Sequence, residues 1–276
     1  MTTIAPSKTA AMLHARYGDA APQPGPISPA METMLLHRSV RGFLPDPLAA
    51  GTLEMLVAAA QSASTSSNLQ VWSVVAVEEP AHKARLATLA GDQDFIRRAP
   101  LFLAWCADTS RIRRAAAARG ATLEGAEYLE SWIVASVDAA LAAQNAFVAA
   151  ESLGLGGVYV GALRNHPEAV AAELGLPAHV MGLFGLAIGH PDPAMRAEVK
   201  PRLPQSMVLH RERYDTASET EALPEYDRLF SGFSARNGMG AADWSDRVVG
   251  RLGTIKSLHG RDRMKAALAA LGFPLR

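Results

Sequence analysis

The chain centres on the stretch Leu36-His37-Arg38-Ser39-Val40-Arg41-Gly42-Phe43. Two guanidinium groups, an imidazole and a hydroxyl lie within five of these residues, just after a short apolar run. A guanidinium presents a planar fork of donors that matches phosphate oxygens, and His and Ser add further donors. An anionic small molecule is therefore one natural partner. The alternative is that Arg38 and Arg41 are solvated charges at a helix end, where cations are mildly favourable.

The residues before this stretch predict a helix that is preceded by an extension. Ser28 is a candidate N-cap and Pro29 fits the first helical position. Residues 1–29 are predicted to be an N-terminal extension, with a weak helical pattern from Ser7 to Tyr17 and a proline-rich linker. Prolines neither continue a helix nor donate to a sheet ladder, so we do not expect the linker to be a regular element.

Hydrophobic periodicity predicts alternating helices and strands after the stretch. The predicted helices cover residues 52–61, 81–89, 124–153 and 168–174, and the predicted strands cover 71–77, 101–107, 182–189 and a segment from 156. The longest helix, 124–153, is apolar around much of its circumference and is expected to be buried on most faces. Beyond residue 214 we expect a charged and broken segment, followed by helical character over 247–271.

Composition excludes several classes of protein. The chain has 276 residues, of which 49% are hydrophobic and 20% charged, as in globular proteins rather than disordered ones. Lys plus Arg equals Asp plus Glu at 27 each, so the charge expected of a nucleic-acid-binding protein is missing. Cys106 is the only cysteine, which excludes an intrachain disulfide and is compatible with a reducing cytoplasm. We interpret Cys106 as a small buried apolar residue.

No targeting or membrane segment is predicted. The first thirty residues contain no apolar block of signal-peptide length. The most apolar region is interrupted by polar residues, among them Asp138 and Glu151, so it does not reach about 18 consecutive apolar residues. We therefore expect a cytoplasmic protein that does not bind membranes.

The polar segments that end predicted elements are the candidates for chemistry. No zinc-ligand spacing occurs, and no phosphate-binding glycine loop or nucleophile elbow is present. Gly154-x-Gly156-Gly157 lacks the dinucleotide-binding spacing, and we interpret these residues as packing glycines. Four polar segments recur at element ends: His37 to Arg41, Ser64 to Gln70, Tyr159 to Arg164, and Lys200 to Arg202.

These segments occur in an order that resembles a known family. The resemblance covers residue 31 to the C-terminus and rests on the following runs: His37-Arg38-Ser39-Val40-Arg41 with Phe43, the serine-rich loop that ends in Leu69-Gln70, Gly91-Asp92-Gln93, Ala142-Ala143-Gln144-Asn145-Ala146, Gly154-Leu155-Gly156-Gly157-Val158-Tyr159-Val160-Gly161-Ala162-Leu163-Arg164-Asn165, and Lys200-Pro201-Arg202-Leu203-Pro204. Together they resemble the flavin-dependent nitroreductase family, and within it the branch of oxygen-insensitive NADPH nitroreductases and flavin reductase P.

The resemblance implies a fold and an assembly. It implies an α+β subunit with a mixed sheet flanked by helices, in an intertwined homodimer that binds one FMN per subunit. Residues 30–276 would form the FMN-binding domain. Within it, a C-terminal extension from about residue 215 would leave the main body of the domain. Small planar electron acceptors would be the other partners, and no metal is implied.

The resemblance also implies roles for individual residues. The cofactor-binding residues would come from every polar segment: His37, Arg38, Ser39 and Arg41 for ribityl and phosphate, Thr65 and Ser67, Gln93 at the isoalloxazine, Tyr159, Val160, Gly161 and Ala162 beside the ring, and Lys200 and Arg202 at the phosphate. Arg236 is the candidate for NADPH binding. It stands almost alone where the branch carries further basic residues, which leaves the choice between NADPH and NADH open.

The implied activity needs no catalytic side chain, because the cofactor carries the chemistry. Hydride would pass through flavin N5 in a ping-pong scheme, with the backbone N–H near Gly161 at N5. Gly161 alternatively fits a turn glycine that needs an unusual φ. The acceptors would be nitroaromatics, quinones or related molecules. The alternatives are a flavin reductase that supplies reduced FMN to a partner monooxygenase, and a flavin-binding protein without turnover.

Overall fold

The computed structural model describes residues 7–240 and 242–276. Residues 1–6 of the expected extension lie outside this range. The described chain divides into two compact units. One, here called the helical unit, takes the described part of Met1–Ser39 together with Arg196–Leu258. The other, the sheet unit, consists of Val40–Met195 and His259–Arg276.

The sheet unit is built on four strands among the described residues: β1 Trp72–Val77, β2 Leu101–Asp108, β3 Gly156–Val160 and β4 Val180–Gly189. Their order is β1-β2-β4-β3, and every neighbouring pair is antiparallel. The α+β class is thus confirmed, but the expectation of a mixed sheet is not met within the described residues. The physical reason is strand order: β2 and β3 run parallel to each other, yet β4 lies between them.

The helices flank this sheet or form the helical unit. In chain order they are α1 Lys8–Tyr17, α2 Pro29–Leu36, α3 Thr52–Gln61, α4 Pro80–Leu89, α5 Asp94–Arg98, α6 Ser110–Ala117, α7 Leu129–Ser152, α8 Pro167–Glu173, α9 Glu219–Arg236, α10 Trp244–Leu252 and α11 Met264–Ala270. Ser28 caps α2 as expected, since its side chain accepts the N–H of Met31 at 3.3 Å. Short 3₁₀ helices at Ser66–Asn68, Glu124–Glu127 and Gly161–Asn165 separate several of these elements.

Strand β2 is the centre of the core. All eight of its residues are buried, and it pairs with β1 on one side and β4 on the other. Trp105 lies fully buried beside Trp72 of β1, with ring centroids 5.5 Å apart. Cys106 is buried as expected, and burial raises the pKa of its thiol to about 12, with Asp108 adding to the shift. The thiol therefore stays protonated and inert at neutral pH.

Helix α7 differs from the expected helix at both its start and its faces. Residues 124–127 form a separate 3₁₀ turn, because Tyr128 adopts an extended conformation before α7 begins. One face, rich in alanine, packs against α3 and the sheet. The opposite face is exposed, against the expectation of burial: Leu129, Ile133, Val137 and Leu141 are 44–49% exposed. The apolar residues of α7 extend around more of the helix than the core of the subunit itself covers.

By length and composition alone, α7 is the helix among the described residues that is apolar enough to cross a membrane. A core helix of a soluble protein meets the same criterion. The buried alanine face of α7 belongs to the main hydrophobic core, as that interpretation requires.

Helix α9 lies where the sequence led us to expect a charged and broken segment. Tyr226, Phe230 and Phe233 are buried along one side of it, at the spacing of successive helical turns. Pro224 lies inside the helix near its start. The proline and the many charges obscured a helix that tertiary packing of the aromatic side chains stabilises.

Candidate functional site

The first basic segment, residues 37–39, directly follows α2. His37 leaves the helical conformation with φ −50° and ψ 132°, so the chain becomes extended at this point. His37 and Ser39 are half-buried, whereas Arg38 is exposed. Arg38 Nη1 donates to the carbonyl of Leu36 at 3.4 Å, the cation-at-helix-end contact that the alternative interpretation predicts.

The second basic segment, residues 200–202, lies beside the first within the helical unit. Both contact Arg16 of α1, whose guanidinium donates to the carbonyl oxygens of His37 and Lys200, each at 3.0 Å. The backbone N–H of Arg202 donates in return to the carbonyl of Arg16 at 2.9 Å. The hydroxyl of Tyr226 donates to the carbonyl of Pro201 at 3.2 Å. Two cationic segments distant in sequence are thus held side by side.

Arg41 lies in an extended segment along the edge of β3 in the sheet unit. The N–H of Val40 donates to the carbonyl of Gly157 at 2.8 Å, and Phe43 forms an isolated antiparallel bridge with Pro191. A Cβ built on Gly156 would lie 2.7 Å from Val40 Cγ2, closer than side chains approach. Gly156 is therefore a packing glycine, as interpreted from the sequence, and it lets this segment lie directly on β3.

The serine-rich loop, residues 64–70, contains Thr65 and Ser67, and part of it has an unusual backbone conformation. Ser67, Asn68 and Gln70 all have positive φ, at 49°, 55° and 51°. Non-glycine residues in this region cost about 1–2 kcal/mol each and persist only where surrounding contacts hold them. Strain of this kind concentrates at ligand-binding sites, so the loop is a candidate for binding.

Asp138 of α7 is one of the contacts that hold the serine-rich loop. Its buried carboxylate accepts the N–H of Ser66 at 3.1 Å and of Val71 at 3.4 Å, one on each side of the strained residues. Arg111 adds a second clamp, since its Nη1 donates to the carbonyl of Gln70 at 3.0 Å. The loop is therefore fixed at its beginning and at its end.

Gln93 and the turn after β3 are neighbours in the sheet unit. Gln93 precedes α5, and its side-chain Nε2 donates to the carbonyl of Gly91 at 3.2 Å. A Cβ on Gly91 would lie 3.5 Å from Asn165 Nδ2 and 3.8 Å from Gln93 Nε2, so both amides face the same small space. Asn165 is oriented by Arg261, whose Nε donates to its Oδ1 at 2.8 Å.

Gly161 opens the 3₁₀ turn Gly161–Asn165, and its φ is not in the left-handed region. The interpretation as a turn glycine with unusual φ is therefore wrong. What Gly161 provides is space: a Cβ there would lie 3.3 Å from Arg164 Nη2. The Arg164 guanidinium also donates to the carbonyl of Leu183, which fixes its position. Val160 is buried and Ala162 half-buried on either side.

Tyr159, at the end of β3, packs edge-to-face between Phe147 and Phe184, with ring centroids 5.3 Å and 5.4 Å away. Its hydroxyl donates to Gln144 Oε1 at 3.3 Å. Burial raises the pKa of the hydroxyl, and Glu151 adds to the shift, so Tyr159 stays neutral. Tyr159 therefore presents an aromatic ring whose hydroxyl group is held in place by a hydrogen bond.

Arg236 lies at the end of α9 in the helical unit and is exposed. Its Nε is 3.9 Å from Glu198 Oε2, an oxygen that also accepts Asn237 Nδ2 at 3.0 Å. Hydrogen bonds from Arg196 and then Asn237 lower the pKa of Glu198, so this carboxylate is ionised at neutral pH. A phosphate that binds Arg236 would compete with Glu198 for the guanidinium.

The predicted site residues thus fall into two groups. The helical unit holds His37, Arg38, Ser39, Lys200, Arg202 and Arg236, and the sheet unit holds Arg41, Thr65, Ser67, Gln93, Tyr159, Val160, Gly161 and Ala162. Sequence reasoning missed the residues that position these groups, above all Arg16 and Asp138. For Asp138 a signal was present, because a carboxylate inside an alanine-rich apolar helix must find donors if it is buried.

Comparison with known proteins covers both parts of the chain. Residues 36–190 match the model of the Nitroreductase family and residues 200–276 that of the Nitroreductase family, C-terminal domain. The FMN reductase (NADPH) of Bacillus subtilis is 40% identical over 79% of this chain and 89% of its own length. The oxygen-insensitive NADPH nitroreductase of Salmonella typhimurium is 38% identical over 80% of this chain and 90% of its own length.

A solved structure shows the same architecture. NfrA2 of B. megaterium superposes with a TM-score of 0.84 at 35% identity, over 91% of this chain and 100% of that protein. This agreement extends over nearly the whole α+β chain, from the sheet unit to the C-terminal segment. The chain belongs to the nitroreductase family.

Proposed function

We propose that this chain is an FMN-dependent NAD(P)H oxidoreductase that reduces nitroaromatics, quinones or related planar acceptors. Its family and the names of its relatives, an FMN reductase and an NADPH nitroreductase, support this class of enzyme. The observation that carries the proposal is the pairing of the two basic segments through Arg16, because it holds the backbones of two cationic segments side by side and a phosphorylated cofactor requires several cationic donors.

The residues present fit the phosphate end of FMN. His37, Arg38, Lys200 and Arg202 supply imidazole, guanidinium and ammonium donors, and a phosphate monoester carries about −1.5 to −2 charges at neutral pH. Ser39 adds a hydroxyl. We propose these residues, together with Arg41, as the ligands of the phosphate and ribityl chain.

The residues present also fit the ring end of the cofactor. Gln93 and Asn165 face one space beside Gly91, and amides of this kind pair with the alternating donors and acceptors of a flavin edge. We propose Gln93 and the run Tyr159, Val160, Gly161 and Ala162 as ring contacts. Thr65 and Ser67 are proposed as further FMN ligands through their hydroxyl groups. When bound, FMN supplies the hydride-transfer chemistry between the nicotinamide and the acceptor.

The chain's own residues would bind the cofactor, orient it and screen it from water. The backbone N–H of Gly161 is proposed to donate to ring nitrogen N5, and the absence of a side chain there leaves room for the Arg164 guanidinium beside the turn. Nothing in this arrangement requires a side-chain nucleophile. One flavin would serve both half-reactions in turn, which gives ping-pong kinetics.

The second candidate function is flavin reductase activity that supplies reduced FMN to a partner monooxygenase. The similarity to an FMN reductase favours it. The ratio of kcat/KM for a nitroaromatic to kcat/KM for free FMN, measured with one coenzyme, separates the two. A ratio above one supports the nitroreductase assignment, and a ratio well below one supports the reductase. We propose a cytoplasmic location for either activity.

We propose that two copies of the chain associate through the exposed face of α7. Leu129, Ile133, Val137 and Leu141 recur every fourth residue and form a continuous apolar stripe that water otherwise contacts. A two-fold dimer buries such a stripe against its own copy.

Replacing Val137 by lysine is expected to convert the dimer into monomers, because a buried charge at the centre of an apolar interface is strongly unfavourable. Sedimentation velocity at fixed protein concentration measures the change in mass. Thr88→Lys places the same charge at an exposed position of α4 and is expected to leave the mass unchanged. A Val137→Lys protein with the wild-type mass would contradict the assignment of this face.

Replacing Arg236 by alanine is expected to raise KM for NADPH several-fold and to leave KM for NADH within about twofold, since only NADPH carries the 2′-phosphate. Steady-state kinetics with each coenzyme provide the comparison. Arg228→Ala, on the same helix α9, is the matched control. Equal use of NADH and NADPH by the wild-type protein would remove this role from Arg236.

A further inference from the structure

Arg16 belongs to α1, which precedes residue 36, where the family match begins. The side chain is only 5% exposed. A buried guanidinium is rare unless its donors are satisfied, because taking a charge out of water is costly. The part of the extension that carries α1 packs within the helical unit: a Cβ on Gly18, directly after α1, would lie 3.1 Å from Leu229 Cδ2 of α9.

The guanidinium of Arg16 binds three backbone carbonyls from two segments. Nη2 donates to Leu35 at 2.7 Å and to His37 at 3.0 Å, and Nη1 donates to Lys200 at 3.0 Å. The carbonyl of Leu35 is one of those that a helix end leaves without an intrahelical partner, so Arg16 also caps α2. With the bond from Arg202 N–H to Arg16 O, three hydrogen bonds connect Arg16 to the two basic segments, and a fourth connects it to the end of α2.

Only arginine can make this arrangement with one side chain. Its planar fork sends parallel N–H groups to two separate acceptors, whereas the ammonium of lysine is a single point with three rotatable donors. The fork therefore fixes the spacing between His37 and Lys200 more tightly than flexible loops would. Spacing matters here, because a phosphate is bound well only by donors already held in the required geometry.

We propose that Arg16 is a positioning residue for the cofactor phosphate. By holding residues 37–39 and 200–202 at a fixed separation, it prepares their side chains to bind the phosphate without contacting the cofactor itself. This inference rests on the proposed function, since it needs FMN as the ligand. It assigns to the N-terminal extension a role in cofactor affinity.

The test compares FMN with riboflavin, which lacks only the phosphate. Apoprotein is titrated with each flavin and Kd is read from fluorescence quenching, for wild type, Arg16→Met, Arg16→Lys and the control Lys8→Met. Lys8 is an exposed cation on the same helix that pairs with Glu32. Thermal unfolding of each apoprotein is recorded in parallel.

Arg16→Met is expected to raise Kd for FMN about tenfold or more, while Kd for riboflavin changes by less than about twofold. Arg16→Lys retains the charge and is expected to fold. Its preference for FMN over riboflavin is expected to fall by about threefold, because the net loss of one hydrogen bond has about that effect on affinity. Lys8→Met is expected to keep the wild-type preference.

Two results would overturn the inference. One is an unchanged FMN-to-riboflavin preference in Arg16→Lys and in Arg16→Met. The other is an equal loss of affinity for both flavins, which a merely structural role predicts. A wild-type protein that binds neither flavin would instead refute the proposed function, so the two failures are distinguishable.

Discussion

Replacing Asp138 by alanine is expected to lower the free energy of unfolding by about 2–3 kcal/mol and to weaken FMN binding. The carboxylate on α7 accepts the N–H groups of Ser66 and Val71, and the latter bond is buried. Alanine leaves those donors without partners and releases a loop that holds three residues at positive φ. The strain of those residues then favours relaxation to another conformation.

Thermal unfolding of the apoprotein at one fixed concentration measures the effect, expected as a melting temperature roughly 5–10 °C lower. Asp94→Ala is the matched control, because Asp94 is an exposed aspartate at the start of α5 that pairs with nearby Arg98. It is expected to change stability by less than about 0.5 kcal/mol. If Asp138→Ala kept both the wild-type melting temperature and the wild-type Kd for FMN, the clamp would have no energetic role.

Replacing Gly161 by valine is expected to reduce NAD(P)H-dependent turnover by about 100-fold or more. A Cβ at this position already lies 3.3 Å from the Arg164 guanidinium, and valine adds two further methyl groups. Arg164 cannot move freely, since it donates to the carbonyl of Leu183. The new side chain therefore displaces Arg164 or the turn, and with the turn the Gly161 N–H that is proposed to contact the flavin.

Gly161→Ala distinguishes the effect of side-chain volume from the effect of backbone conformation at this position. Because φ at this residue is not in the left-handed region, alanine adds no backbone strain. Its single methyl group lies 3.3 Å from Arg164 Nη2 and needs only a small shift of that side chain, so we expect Gly161→Ala to keep most of the turnover. Gly125→Val is the remote control, since a Cβ on Gly125 has no heavy atom within 4 Å. Full flavin content and wild-type turnover in Gly161→Val would show that this turn is not beside the reacting ring.

Local sequence patterns were sufficient for most strands and helices. The run at 71–77 is rich in valine, the run at 101–107 is continuously apolar with two aromatic residues, and both became strands within one residue of the expected limits. Helix α3 has the predicted limits, because its apolar stripe has helical period and glycine precedes it. In these segments local propensity and burial agree, so short-range information decides the structure.

Where sequence reasoning failed, the deciding interactions were tertiary. The exposed stripe of α7 is chemically no different from its buried face, so periodicity alone could not show which part the subunit covers. In α9 the stripe Tyr226, Phe230 and Phe233 was present in the sequence, but Pro224 and the surrounding charges argued against a helix. Strand order in the sheet likewise depends on contacts between distant segments.

The same division applies to the candidate site. Basic and hydroxyl groups at element ends are visible in the sequence, because phosphate binding requires those residue types. The residues that hold them are not, since Arg16 acts on Lys200 across 184 positions and Asp138 acts on Ser66 across 72. Arg16 also looked like an ordinary cation of a weakly helical extension. Its importance depends on burial, which only the folded chain defines.

The central claim is that this chain carries FMN and exchanges electrons with NAD(P)H. The visible spectrum of the purified protein under argon, recorded before and after addition of NADPH, tests it most directly. A flavin spectrum that bleaches on addition of NADPH and returns on addition of a nitroaromatic acceptor is the predicted result. A protein without flavin absorbance after reconstitution with FMN, or a bound flavin that stays oxidised with both NADPH and NADH, would contradict the account.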